Sequence, residues 1–318
     1  MPPMSRSGFR MALSAVFLSV LIAVAGCNTR PSAEYYQALV AKLRAEGKLR
    51  AETAPPDAPY DAADLVRNFE RIALHHEAQI TRPGGEGNWQ QNPLQRWVGP
   101  LNYHLSGSAV TRQDRAEVAS LMDRIAGLTG LEIAEAESGW NFLILITTPE
   151  EHEDFSAVLA QLLPATVKTF DLWRQTPRLI CVAHNLFSGE DRNHIVTALV
   201  SIGSETGGLL RRACLHEEIV QALGLANDHP DVRPSIFNDD GEFALLTEHD
   251  EYLLRILYDP RLETGMTAEE AMPIVRRIVA GIALDRPPAQ LDGGAAALAP
   301  IADTAGSRPP AAQDAAKS

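Results

Sequence analysis

The chain has 318 residues, of which 45% are apolar, and 28 basic against 41 acidic side chains give a formal charge of −13. That is enough apolar material for a real core, in one large domain or two small ones. The acidity excludes nucleic acid as a partner, because a phosphate backbone has to be met by a basic stripe.

Arg6 and Arg10 precede an apolar run from Met11 to Ala25. The run has the length of a signal-peptide core and falls short of the roughly 20 residues that a spanning helix needs. It closes on Val24-Ala25-Gly26-Cys27, a lipobox, in which small residues admit the signal peptidase and the cysteine takes the lipid. The expected mature protein begins at lipidated Cys27 once residues 1–26 are removed, and it faces the periplasm from the cell envelope. An ordinary signal or a membrane anchor is the alternative. Asn28 is not the aspartate that retains lipoproteins at the inner membrane, which favours the outer membrane. Residues 27–60 read as a tether, with one polar helix from Ser32 to about Arg50 that serves as a solvated spacer.

Residues 61–96 are expected to lead into the domain. Leu65, Phe69, Ile72 and Ala73 stand at helical spacing between Asp61 and Ile80, and a loop rich in Gly, Asn and Gln follows from Arg82 to Asn92. The folded domain is predicted over 97–284. Trp97 to Leu105 alternates as a strand, and Arg115 to Thr129 is an amphipathic helix that stops at Gly130. Leu131–Ala136 and Asn141–Thr147 read as strands, the second so continuously apolar that it belongs in the middle of its sheet. A helix runs from Pro149 to about Leu163. Arg178–Asn185 and His194–Ile202 are two more strands. Cys181 and Cys214 form an even pair in an oxidising compartment and so are a disulfide candidate, with two buried thiols as the alternative.

The stretch from Cys214 to Tyr258 carries the chemistry. Glu217 and Gln221 stand four apart on one helical face; Gly224 follows, then Asn227 and Asp228. This spacing resembles the zincin metallopeptidases, and among them the metzincins, whose pattern is H-E-x-x-H-x-x-G-x-x-H. On that pattern Glu217, Gln221 and Asn227 take the three ligand positions, Glu218 the general base and Gly224 the glycine. Pro234 to Asp239 looks like the methionine turn, with Phe237 in place of methionine, and Leu246 to Tyr258 like the helix after it. The segment is also similar to a family of bacterial envelope proteins, domain of unknown function 2927, in which EExxQALGLxND, SxFNDD and LxxLYDPR recur; that likeness runs from about Trp97 to Val279.

The resemblance implies an α+β, zincin-like fold, with a twisted mixed sheet backing an active-site helix and a small helical C-terminal subdomain. It also implies an edge strand that pairs with substrate along the cleft, and chain order alone points to His194–Ile202 for that part. Zinc in an enzyme favours imidazole or thiolate, so a Glu/Gln/Asn set holds it poorly, and no cofactor is expected. A divalent ion that prefers oxygen, helped by Asp228, is the remaining option. Without a cation to lower the pKa of a bound water, Glu218 is a poor hydrolytic base. The phenyl ring of Phe237 is expected to help fill the space where a metal would sit. A zinc site joining His216, His229 and His249 is an alternative, and the commoner reading of those three is surface or helix-end histidines.

Thr247 with Asp250 and Thr267 with Glu270 mark two later helix starts, and Pro273 is expected to kink the second helix. Residues 285–318 are rich in Ala, Pro and Gly and are expected to be disordered. Three functions follow. The first is a lipid-anchored envelope protein whose degenerate metzincin-like domain is inactive and binds a peptide or protein in its cleft, with the membrane as its other partner through Cys27. The second is an active metal-dependent peptidase using an atypical oxygen site, with Glu218 as its base. The third is a structural envelope lipoprotein, in which Asn227 and Asp228 are cap and turn residues.

Overall fold

Phe142–Thr147 offers no polar face, so it has to be covered on both sides. The computed structural model describes residues 31–77, 89–176, 179–189 and 192–285, and buries all six of these residues in the interior of a six-stranded sheet. The lipobox with Cys27, the signal peptide and the tail from 286 onward lie outside the described residues.

Two helices come first, α1 (Ala33–Ala45) and α2 (Ala62–Ala73), the latter opened by a reciprocal capping box between Asp61 and Asp64. A small antiparallel pair follows, β1 (His75–Glu77) with β2 (Trp89–Gln91), so α2 ends well before Ile80. The strand expected over Trp97–Leu105 is two strands, β3 (Arg96–Trp97) and β4 (Leu101–Ser106), separated at Gly99, where φ is +87°. Next come α3 (Arg112–Thr129), closed by left-handed Gly130, then β5 (Ile133–Glu135) and β6 (Phe142–Thr147). Helix α4 (His152–Leu162) precedes α5 (Val167–Gln175), which the sequence reading passed over. Strands β7 (Cys181–Phe187) and β8 (His194–Gly203) lead into α6 (Gly208–Gln221), and α7 (Glu248–Leu257) and α8 (Ala268–Asp285) close the described chain. The capping boxes expected at Thr247/Asp250 and Thr267/Glu270 both form, and α8 continues through Pro273.

The sheet order is β3-β8-β6-β4-β5, parallel throughout, with β7 added antiparallel to β8. Ala198 of β8 faces Phe142 of β6 on one side and Asn185 of β7 on the other. Strand β7 is therefore the edge. This corrects the expectation for His194–Ile202, whose apolar run Ala198-Leu199-Val200 belongs to an interior strand with neighbours on both sides.

The pleat sends Phe142, Ile144 and Ile146 into the main core with α2, α3, α6, α7 and α8, while Leu143 and Leu145 meet Leu159, Phe170 and Trp173 under α4 and α5. Helix α2 supplies Leu65, Phe69 and Ile72 to the main core, and each such fully buried side chain contributes about 1.5–3 kcal/mol.

Helix α1 is not the solvated spacer that its polarity suggested. Tyr36 is buried, and Leu49 packs with Leu210, Ala244 and Leu245. The N–H groups of Leu49 and Arg50 donate to the carbonyls of Gly241 and Glu242, and Arg50 pairs with Asp57 at 2.7 Å and Glu242 at 3.0 Å. Residues 48–58 thus strap the loop that follows the Pro234–Asn238 turn. Among the described residues, no helix is long and apolar enough to cross a membrane.

Candidate functional site

Helix α6 lies against the edge strand and is bonded to it covalently: Cys181 of β7 and Cys214 of α6 form a disulfide, with an S–S distance of 2.03 Å. The candidate pairing in the sequence is therefore the one present. One turn on, Glu218 is 6% exposed and its carboxyl accepts a hydrogen bond from the N–H of Ala183 in β7. Burial, and then the charge of Asp228, push its pKa up to about 8 despite that bond. Glu217 is half-buried and its pKa is raised well above the ordinary carboxyl range, first by burial, then by Asp228, Glu218 and Asp239. Burial and neighbouring acids thus shift both helix carboxyls upward, toward their protonated forms.

Gln221 donates from Nε2 to Asp228 Oδ1 at 2.9 Å. Gly224 turns the chain at φ +116°, where a Cβ would stand 2.2 Å from the Gln95 carbonyl oxygen. The glycine is required by this close approach as well as by its backbone angle. Asn227 is buried, but it faces away from Gln221. Its side-chain nitrogen donates to the Arg71 carbonyl at 2.7 Å and its backbone N–H to that of Ile72, so it satisfies the C-terminal end of α2. Of the residues the pattern brings forward, the fold gathers Glu217, Glu218, Gln221 and Asp228 and sends Asn227 elsewhere.

Phe237 is fully buried in the main core, in a turn entered through a cis Arg233–Pro234 peptide. Asp250, itself fully buried, holds this turn to the start of α7. It accepts from Ser235 Oγ at 2.5 Å, Ile236 N at 3.1 Å, and Thr247 N and Oγ1 at 3.0 and 2.8 Å. The sequence reading took Asp250 for a cap residue and missed its second task; nothing in its spacing from Ser235 marks it. It also missed Ala183 and Asn185. On the same face of β7 as Ala183, Asn185 buries Oδ1 with no hydrogen-bond partner.

The three histidines set aside as an alternative zinc site are each bound to other groups. His216 accepts from the Leu246 N–H at Nδ1 and lies 2.8 Å from Glu117 at Nε2; burial lowers its pKa, so it is neutral and Nε2 donates. Burial alone would raise Glu117, but the hydrogen bonds from His216 and Arg212 outweigh it and leave its pKa at about 2. His249 is fully buried between Asn68 and Asp250, and His229 accepts at Nδ1 from the Asp231 N–H. His216 and His249 are thus interior groups and not surface histidines, although His249 does stand at a helix end, in the first turn of α7.

The fit to a zinc ion is poor on the chemistry of these donors. Gln221 and Asn227 could offer only neutral amide oxygens, Asn227 is held at the end of α2, and burial shifts Glu217 toward its protonated form, whereas a zinc ligand has to be deprotonated.

A family model, protein of unknown function DUF2927, matches residues 62–277, which is more than half of the chain. The protein belongs to the DUF2927 family. Its match begins at the first residue of α2, ahead of Trp97, and the packing explains why: α2 lies in the main core with α7 and α8 and receives Asn227. Of the curated proteins and the solved structures compared with this DUF2927 chain, none matches it.

Proposed function

We propose that this DUF2927 protein is a lipid-anchored envelope protein whose domain is a degenerate, metzincin-like peptidase framework, catalytically inactive, that binds a peptide or protein segment along β7. The signal peptide and lipobox ending at Cys27 support the anchor, with the protein facing the periplasm and Asn28 favouring the outer membrane. The peptidase-like framework is supported by the sheet order and by α6 directly following β8, with an antiparallel edge strand beside the helix.

The observation that carries the reading is the hydrogen bond from the Ala183 N–H to Glu218. The one acid kept from the peptidase pattern is bonded to the edge strand, and burial and Asp228 push its pKa up to about 8, so at pH 7 it is held mostly protonated against that strand. An extended peptide adding to β7 would offer a carbonyl to the same N–H and displace Glu218. Asn185 Oδ1, buried without a partner two residues along, supplies a second group that a ligand N–H would satisfy.

The test is fluorescence polarisation of the full chain in detergent with a panel of labelled extended decapeptides. Binding is expected to fall at least tenfold in Asn185→Ala and to persist in Glu218→Ala. Peptide hydrolysis that disappears in Glu218→Ala would favour the active peptidase instead. No binding by any peptide, with Glu217→Ala changing only thermal stability, would favour the structural lipoprotein.

A further inference from the structure

A concavity lies over α2, and its lining includes none of the α6 carboxyl groups. Its volume is about 260 Å³, and it is lined by Arg67, Glu70 and Arg71 of α2, His75 at the start of β1, and His229. Helical spacing places Arg67, Glu70 and Arg71 on one face, and the chain turn after α2 brings His75 beside them. In a chain of charge −13, two guanidinium and two imidazole groups converge here against one lining carboxylate.

The imidazoles are held in defined orientations. His75 donates from Nδ1 to the Glu70 carbonyl at 2.9 Å, and His229 accepts at Nδ1 from the Asp231 N–H at 3.1 Å. The neutral form of His229 therefore carries its proton on Nε2. Burial lowers the pKa of His229, and Arg71 and His75 lower it further against the opposing pull of Asp231, which is the mutual repulsion expected of positive groups sharing one cavity.

The acids at the rim do not saturate the arginines. Arg71 meets Asp231 at 3.3 Å, and the Asp231 side chain is 67% exposed, while Asp64, the partner of Arg67, also accepts the Asp61 N–H in the α2 capping box. Exposed pairs of this kind contribute about 0–1 kcal/mol and give way readily to a better anion.

We infer that this pocket binds a phosphate group, with Arg67 and Arg71 as the charged clamp, His229 as a flanking donor through Nε2, and His75 as a second donor in its imidazolium form. Guanidinium forks match tetrahedral phosphate oxygens in pairs, and the cavity is smaller than a drug-sized site and suits a compact anion. The phosphate belongs either to a small solute or to a lipid headgroup, and the pocket chemistry is common to both. This site is independent of the peptide reading, because it shares no residue with it.

The experiment is a titration of the full chain in detergent at constant ionic strength, followed by the histidine ring proton resonances. Inorganic phosphate is the probe in one arm and short-chain phosphatidylglycerol in the other. Saturable shifts of His75 and His229 are expected in at least one arm, and the arm identifies the source. Arg71→Gln is expected to weaken binding at least tenfold, and Arg67→Gln to weaken it in the same direction. Arg71 serves the fold through its backbone carbonyl, which the substitution keeps. No saturable shift in either arm, or equal affinity in wild type and Arg71→Gln, overturns the assignment.

Discussion

Gln221 Nε2 and Asp228 Oδ1 lie 2.9 Å apart, so the last residue of α6 is bonded to the loop that the helix leads into. Asp228 is at the same time the charge that acts most strongly on both Glu217 and Glu218 after burial itself. Asp228→Asn keeps an acceptor for Gln221 and removes the charge. Carbon-13 titration of labelled glutamate carboxyls is expected to show the midpoints of Glu217 and Glu218 moving down together. Burial should still hold Glu218 above 4.5. A Glu218 midpoint unchanged near 8 would show that Asp228 is not its neighbour.

The raised pKa of Glu218 makes stability depend on pH with a definite sign. Its unfolded reference is 4.5 and its folded value is about 8, so the folded state prefers the protonated form. The contribution is complete below about pH 4.5 and is lost as the pH rises through about 8. Glu218→Gln should therefore have a higher Tm than wild type at pH 8 and match it near pH 4. Comparing the two curves cancels the opposite acid sensitivity of buried His216, whose lowered pKa disfavours the fold as pH falls. A variant less stable at pH 8 than at pH 5, relative to wild type, contradicts the assignment.

Gly224 combines a positive φ with a backbone at Gln95–Arg96 so near that an added Cβ would stand 2.2 Å from the Gln95 carbonyl oxygen. Ala at this position is expected to cost more than about 2 kcal/mol, as backbone strain and a clash that no side chain can relieve. Urea denaturation measures it. A loss below about 0.5 kcal/mol would mean that β3 can move away freely.

The Cys181–Cys214 disulfide closes a segment with a sequence separation of 33 and ties the edge strand to α6. The double variant Cys181→Ser/Cys214→Ala is expected to lose about 3–4 kcal/mol on the chain-entropy relation. Hydrogen exchange at Ala183 should accelerate as well, since the strand and the helix that holds its N–H are no longer joined. Unchanged exchange would separate the disulfide from the edge of the cleft.

Much of this was legible along the chain, for identifiable reasons. Phe142–Thr147 announced an interior strand because a run without a polar face can be covered in few ways, and Thr247 with Asp250 announced a helix start because a capping box is local. The spacing of Glu217, Glu218, Gln221 and Gly224 placed three side chains on a helix and a turn after it, again within a few residues. Asn227 was misdirected because its partner, the Arg71 carbonyl, is 156 residues away. Helix α1 was read as a solvated spacer because its polarity conceals that Tyr36 and Leu49 have an apolar seat at Leu210 and Leu245.

What the amino-acid sequence determined by itself was the class of most elements, though not of α5, β1 or β2, the family to which the chain belongs, and the residue types present on α6, because periodicity, caps and motif spacing act over one or two turns. Tertiary structure decided which strand is the edge, which acid holds a proton and which amide faces the cleft. Strand order and carboxyl pKa both depend on groups brought together from distant parts of the chain: β7 beside β8, Ala183 against Glu218, and Asp228 near both glutamates. Burial and like charge act through space, so their effect on Glu217 and Glu218 is set only when the chain is folded.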